Sequence, residues 1–201
     1  MHRNHTYLLV LVAGLTALIF VYSFLGAHIF PRDFVDNYED QLAAALTFDT
    51  SVPFAFETPI QVVHVVDGDT VQLINGEYVR YVGIDTPESV DPRKSVQCYA
   101  KEAAAKNRVL VEGQFVTFYQ DVSEKDKYGR WLGYAYKDDG TFVNKMLVEE
   151  GYAFAYRYEP DVAKADELYG DESFAKEMKL GLWGSCTVRT VSGREQTNDL
   201  R

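Results

Sequence analysis

The chain has 201 residues, 47% of them hydrophobic and 25% charged, with 20 Lys and Arg against 30 Asp and Glu. A net charge of −10 argues against the broad basic face of a duplex-binding protein. From residue 58 onward 18 basic residues stand against 24 acidic ones, so contact with nucleic acid would need a local basic cleft.

The N-terminal part of the chain is predicted to enter a membrane. Residues 1–6 form a short tail, and residues 7–30 contain no Asp, Glu, Lys or Arg. A helix of about 20 apolar residues spans a bilayer. A cleaved signal peptide is the alternative, but its apolar core is usually about 7–15 residues long, and Leu25 is a poor residue at position −3 of a cleavage site after Ala27. A retained transmembrane anchor is therefore expected.

The charges beside this segment predict its orientation. Arg3, with two histidines beside it, precedes the segment, and four acidic residues follow it between Asp33 and Asp40. The positive-inside tendency then predicts a cytoplasmic N-terminus and an extracytoplasmic domain. The expected location is the cell membrane, with a single pass, or the exterior if a signal peptide is cleaved.

Residues 31–57 are predicted to be a linker. They are acidic up to Asp49, and they end in an aromatic segment, Phe54 and Phe56, between Pro53 and Pro59. A spacer is the preferred interpretation. A partner-binding amphipathic segment is the alternative, and no other feature of the sequence implies a protein partner.

Residues 58–187 are predicted to form one α+β, mainly β domain. Alternating apolar residues indicate strands at Ile60–Val66, from Thr70, and at Tyr78–Gly83, Phe115–Gln120 and Leu132–Lys137. Helical patterns cover Cys98–Val111, Val143–Glu150 and about Val162–Lys179. Five short strands with about three helices suit a five-stranded OB-fold barrel. Residues 188–201 are expected to be a polar, frayed tail.

Two cysteines, Cys98 and Cys186, are present, and their spacing is not that of a zinc site. In an exported domain the simple interpretation is one disulfide that joins the C-terminal segment to the start of the first domain helix. Two buried free thiols are the alternative.

The stretch from Val65 to Glu88 carries the chemistry. Asn75-Gly76 is a strong hairpin signal, so Asp69 and Asp85 both lie away from the turn and can converge, with Arg80 and Glu88 close by. Acids that converge repel one another unless a cation lies among them. Oxygen-only donors suit calcium or magnesium rather than zinc or copper, so a hard-metal site is predicted here.

Three motifs resemble those of the staphylococcal nuclease (thermonuclease) family: D-G-D-T at 67–70, V-R-Y-V-G-I-D-T-P-E at 79–88 and D-K-Y-G-R at 126–130. The resemblance covers about Pro59 to Trp183. It implies the same OB fold and an enzyme that cleaves phosphodiester bonds of DNA and RNA with Ca²⁺, leaving 5′-hydroxyl and 3′-phosphate ends.

The resemblance also implies residue roles. Asp69 and Asp85 would bind the metal together with the main-chain carbonyl of Thr86. Glu88 would be the general base that takes a proton from the attacking water. Two arginines, Arg80 and Arg130, would clamp the phosphate, since a guanidinium holds two phosphate oxygens at once.

Further matches concern substrate binding. Tyr128, Tyr156 and Tyr158 correspond to tyrosines of the nucleotide pocket, and stacking of a base on an aromatic ring contributes about 1–3 kcal/mol. Lys127 corresponds to a lysine near the phosphate, and Lys94 is a further candidate.

The acidic charge of this domain departs from the basic family pattern, so single-stranded DNA or RNA is the safer substrate expectation. A catalytically inactive nucleic-acid-binding OB-fold module on a membrane anchor is the alternative, and an anchored structural domain is a third. The chain keeps the three acids and two arginines that inactive modules typically lack, which favours the nuclease.

Overall fold

The structure is a computed structural model, and it describes residues 52–89 and 95–199. The predicted N-terminal tail, the membrane segment and most of the linker lie outside the described residues, as does Lys94. Within the described ranges, no helix combines the length and apolarity needed to cross a bilayer.

The first seven strands are β1 Ile60–Val65, β2 Thr70–Leu73, β3 Tyr78–Tyr81, β4 Ile84–Asp85, β5 Phe115–Tyr119, β6 Trp131–Lys137 and β7 Phe154–Ala155. Five of them close into a barrel in the order β1-β2-β3-β6-β5, which confirms the predicted five-stranded mainly β architecture. Neighbouring barrel strands run antiparallel except β3 and β6, which are parallel. The two short strands β4 and β7 pair outside the barrel.

The β2–β3 hairpin turns at Asn75-Gly76, as predicted. Gly76 has a φ of +85°, a backbone conformation that glycine adopts without a steric penalty, and its N–H donates to the carbonyl of Leu73 at 2.9 Å. Thr70 lies opposite Arg80 in the register. The ends of the hairpin therefore lie side by side, away from the turn.

Three helices surround the barrel, as predicted, and each is shorter than its sequence pattern. They are α1 Ala100–Val111, α2 Val143–Glu149 and α3 Ala165–Glu177; a four-residue helix, α4 Leu182–Ser185, follows. Glycine permits the contact between the end of α2 and the start of α4. A Cβ on Gly151 would lie 2.3 Å from the carbonyl oxygen of Leu180.

Buried β-branched and aliphatic residues of the strands fill the barrel, which is why alternation predicted them. One buried polar residue, Asn144, connects α2 to the barrel. Its amide donates to the carbonyl of Val82 at 2.7 Å and accepts from the N–H of Ala135 at 3.0 Å. The bond to Val82 holds the chain just before β4, and the bond from Ala135 connects α2 to β6.

The aromatic end of the predicted linker packs on the barrel. The rings of Phe54 and Trp131 have centroids 4.7 Å apart, and those of Phe56 and Trp131 are 5.7 Å apart. The packed part of the chain thus begins before residue 58.

The C-terminal tail differs from the expected frayed segment. Two strands, β8 Val188–Val191 and β9 Arg194–Thr197, form an antiparallel hairpin. Its turn residues, Ser192 and Gly193, have φ values of +50° and +80°, as in the tight turns that suit hairpins. The expectation of a frayed tail was wrong because it was drawn from the polar composition of the segment alone. The strand pair is held at its base by residues from other parts of the chain.

Cys98 and Cys186 form a disulfide with their Cα atoms 6.0 Å apart. Beside it, the N–H of Cys98 donates to the carbonyl of Asn198, and the hydroxyl of Thr197 donates to the carbonyl of Cys98, both at 2.7 Å. The base of the C-terminal hairpin is therefore fixed to the segment just before α1.

Candidate active site

Asp69, Arg80 and Asp85 meet at the open end of the β2–β3 hairpin. Asp69 is almost fully buried, with 2% of its surface exposed. One guanidinium nitrogen of Arg80 donates to Asp69 Oδ1, and the other donates to Asp85 Oδ1 at 2.8 Å. The predicted convergence of the two aspartates is thus present, with Arg80 bridging them.

Thr86 adds two donors to the same carboxylate. Its N–H and its hydroxyl lie 3.1 and 3.2 Å from Asp69 Oδ2. The hydroxyl of Thr70 donates to the other oxygen, Asp69 Oδ1, at 3.1 Å. These bonds fix the orientation of the Asp69 carboxylate.

The electrostatics of the site reflect crowded acids. Burial, reinforced by the negative charge of Asp69, raises the pKa of Asp85. The same two causes raise the pKa of Asp67 to about 7. Burial opposes the charge of Arg80, but Asp69 and Asp85 outweigh it, and the pKa of Arg80 is raised. Excess negative charge at this rim favours an additional cation.

The donor chemistry fits a hard divalent ion. Asp69 and Asp85 offer carboxylate oxygens, which calcium and magnesium prefer. In residues 52–89 and 95–199, no group of three or more His, Cys, Asp and Glu is arranged to hold a metal ion. A cation here would therefore depend on the two aspartates, main-chain oxygens such as that of Thr86, and water.

Glu88 follows the second aspartate by three residues and is partly exposed. Its N–H donates to the side-chain oxygen of Gln97 at 2.7 Å, and its carbonyl accepts from the N–H of Gln97 at 2.9 Å. Gln97 adjoins Cys98, so the disulfide region and the backbone of Glu88 are connected.

Arg130 reaches the site from the loop between β5 and β6. Its Nε donates to Asp126 Oδ2 at 2.7 Å, and its Nη1 lies 3.3 Å from the hydroxyl of Thr70. Asp126 also accepts the N–H groups of Tyr128 and Arg130 through Oδ1, at 2.8 and 3.0 Å. Asp126 thus holds the loop and orients Arg130 toward Thr70, whose hydroxyl bonds Asp69.

The predicted tyrosines fall into two places. Tyr128 is 72% exposed, and Lys127 and Arg130 lie 5.0 and 5.6 Å from the centre of its ring. Tyr156 and Tyr158 are stacked with centroids 6.2 Å apart.

Pairing of β4 with β7 brings the second tyrosine pair to the site. Asp85 is the register partner of Phe154, and the N–H of Tyr156 donates to the carbonyl of Gly83 at 2.8 Å. Carboxylates, two arginines and open aromatic rings therefore share one rim of the barrel. Such a rim can bind a phosphate and stack the bases beside it.

Four residues of the site had no assigned role in the sequence: Asp67, Gln97, Asp126 and Arg194. Asp67 and Asp126 lie inside the motifs, and their Asp-Gly and Asp-Lys-Tyr-Gly contexts are turn signals that indicate a structural role. No sequence signal indicates Gln97 or Arg194. Arg194 belongs to the C-terminal hairpin, and its Nη1 lies 3.7 Å from Asp85 Oδ2.

The closed five-stranded barrel with carboxylates and arginines at one rim defines an OB-fold domain with a phosphate-compatible site. The family model described as "Staphylococcal nuclease homologue" matches residues 78–185. The chain therefore belongs to the staphylococcal nuclease family.

Three relatives carry nuclease names. The SPbeta prophage-derived endonuclease YokF of Bacillus subtilis is 39% identical over 146 residues, which cover 68% of this chain and 49% of YokF. Endonuclease YncB of the same organism is 42% identical over 133 residues, covering 64% of this chain and 63% of YncB. Thermonuclease of Staphylococcus hyicus is 34% identical over 134 residues, covering 65% and 79%. The chain spans about half the length of YokF.

Proposed function

We propose that this protein is a calcium-dependent nuclease that hydrolyses phosphodiester bonds of DNA and RNA, leaving 5′-hydroxyl and 3′-phosphate ends. The observation that carries the proposal is the arrangement of Asp69, Asp85, Arg80 and Arg130 at one rim of the barrel. The nuclease names of the relatives support it.

Asp69 and Asp85, with the carbonyl of Thr86, would hold the calcium ion, which when bound supplies positive charge to the phosphate and its attacking water. Arg80 and Arg130 bind the phosphate oxygens and stabilise the charge that increases in the transition state. Glu88 accepts the proton of the water that attacks phosphorus, the P–O5′ bond breaks, and the 5′-oxygen takes a proton from solvent as it leaves. Asp126 keeps Arg130 oriented, so it is a positioning residue.

Tyr128, Tyr156 and Tyr158 would contact the nucleotides next to the cleaved bond, and Lys127 would lie near the phosphate. Because stacking needs unpaired bases and the chain is acidic, we propose a preference for single-stranded substrates. The acidic charge also predicts that binding depends on a few local cations.

The test uses the full-length protein with labelled single-stranded DNA, duplex DNA and RNA, in calcium or in chelator. Cleavage in calcium alone is expected, and the products should accept a new 5′-phosphate from a kinase without prior phosphatase treatment. Glu88→Gln should lower kcat by about 10²–10⁴-fold, the usual contribution of a general base. Glu102→Gln, at an exposed acid of α1, is the matched control and should be fully active.

Binding without cleavage by the wild-type protein would favour the alternative, a catalytically inactive OB-fold module. Cleavage that persists in chelator would overturn the calcium requirement. Near-native activity of Glu88→Gln would overturn the role of Glu88.

We also propose that residues 7–30 anchor the protein in the cell membrane, with the nuclease domain extracytoplasmic. The uncharged apolar segment supports this proposal. Fractionation should recover the protein in the membrane with its N-terminus intact. A mature N-terminus near His28, found by mass spectrometry, would indicate secretion after signal cleavage instead.

A further inference from the structure

A cavity of about 420 Å³ lies beside the catalytic rim, between β7, α3 and the C-terminal hairpin. Asp85 and Tyr156 form its boundary with the rim, and Arg157, Lys176 and Arg194 are basic residues in its wall. The cavity therefore adjoins the rim at Asp85 and Tyr156, and Arg130 is not among the residues that line it.

The basic residues of the cavity differ in how far their charge is already neutralised. Lys176 Nζ lies 2.9 Å from Glu172 Oε2 and 3.2 Å from Glu195 Oε2, so two carboxylates neutralise its charge. The guanidinium of Arg157 lies 3.1 Å from Asp166. In the described part of the chain, Arg194 has one ion-pair partner, Asp85, at the longer distance of 3.7 Å.

Asp85 is itself held mainly by another group, since its Oδ1 accepts a 2.8 Å hydrogen bond from Arg80. The guanidinium carbon of Arg194 lies 4.4 Å from the centre of the Tyr156 ring, and 46% of the side chain is exposed. A guanidinium has five N–H donors, and stacking on a ring leaves its donor edge open. Arg194 thus presents a charged edge to the cavity beside Asp85.

The hairpin that carries Arg194 is held near its turn and at its base. Arg194 directly follows the tight Ser192-Gly193 turn, and Glu195 pairs with Lys176 of α3. The base of the hairpin is tied to Cys98 by the disulfide and by two hydrogen bonds. A group held in this way loses little conformational freedom when it binds an anion.

We propose that Arg194 binds a backbone phosphate next to the one that is cleaved, so that the C-terminal hairpin forms part of the nucleic-acid-binding surface. The inference rests on the proposed nuclease function for its choice of ligand. It adds a phosphate contact from outside the matched family region, which ends at residue 185.

The first test compares two substrates of the full-length protein. One is a single-stranded pentanucleotide, and the other is a dinucleoside monophosphate, which has only the scissile phosphate. Arg194→Ala should raise KM for the pentanucleotide about 5–10-fold with kcat unchanged, and it should leave KM for the dinucleoside unchanged. Arg189→Ala, on an exposed position of β8, is the control for the hairpin and should match the wild type on both.

The second test measures binding without cleavage. In a Glu88→Gln background with calcium, fluorescence anisotropy of a labelled single-stranded oligonucleotide is followed against salt. Arg194→Ala should reduce the slope of log affinity against log salt by about 0.7, the value for one phosphate contact on a single strand. Arg194→Lys should recover the slope, because it keeps the charge.

Two results would overturn the proposal. An equal loss on both substrates would show that Arg194 acts by holding Asp85 or Tyr156, and an unchanged KM and salt slope would show that it binds no phosphate. If the wild type cleaves neither substrate in calcium, the proposed nuclease function fails. The anisotropy series still decides whether Arg194 contacts nucleic acid.

Discussion

Removal of the disulfide should destabilise the domain and weaken its activity together. The bridge closes a separation of 88 residues, and on the chain-entropy model a loop of that length stabilises the folded state by about 4–5 kcal/mol. Natural domains are stable by only about 5–15 kcal/mol, so the loss is a large fraction of the total. Cys98→Ser/Cys186→Ser should therefore show a much lower denaturant midpoint.

The two tryptophans, Trp131 and Trp183, both lie in the described domain, so their fluorescence reports unfolding of that domain in the full-length protein. The activity should fall as well, because the bridge holds the hairpin of Arg194 and adjoins Gln97, which bonds the backbone of Glu88. Wild-type protein in a phosphine reductant should match the double variant, and the double variant should not respond to reductant.

A loss of less than about 1 kcal/mol in the free energy of unfolding would refute this reasoning, since it would mean that the hydrogen bonds at the base of the hairpin suffice without the bridge. A stable double variant with full activity would also show that the hairpin stays in place unaided.

Four more predictions concern the site and its support. Asp126→Asn should lower kcat about tenfold, because it weakens the charged hydrogen bond that orients Arg130. The melting temperature of this variant should stay within a few degrees of the wild-type value. Equal kcat values for the variant and the wild type would contradict the positioning role. Gly151→Ala should lower the free energy of unfolding in urea by about 2 kcal/mol or more, since the φ of Gly151 is +75° and the added Cβ would meet the carbonyl of Leu180. Gly140 has a similar φ but open space around it, so Gly140→Ala should lower the free energy of unfolding by less. Calcium affinity, measured by calorimetry, should increase as the pH rises through about 7. Below that pH the raised pKa keeps Asp67 protonated, and a bound cation beside Asp69 favours loss of this proton. Without calcium, the folded domain binds the proton of Asp67 more tightly than the unfolded chain does. The free energy of unfolding should therefore fall as the pH rises from about 4 to 7. A calcium affinity independent of pH would contradict the crowded-acid description.

The sequence by itself determined the features that depend on neighbouring residues. Alternation of apolar residues predicted the five barrel strands, and Asn75-Gly76 predicted the turn that brings the Asp69 and Asp85 ends together. These features are local, because side-chain periodicity and turn chemistry act over a few residues. The two-residue strands β4 and β7 had no such period and were not predicted.

The tertiary structure alone decided which distant segments meet at the rim. Arg130 reaches Thr70 across 60 residues of chain, and Tyr156 comes to Asp85 through the β4–β7 pairing. Arg194 arrives from a segment that looked like a frayed tail, because the disulfide and two hydrogen bonds hold its hairpin in place. Contacts of this kind depend on strand register and on packing between remote elements, and no local pattern of residues encodes either one.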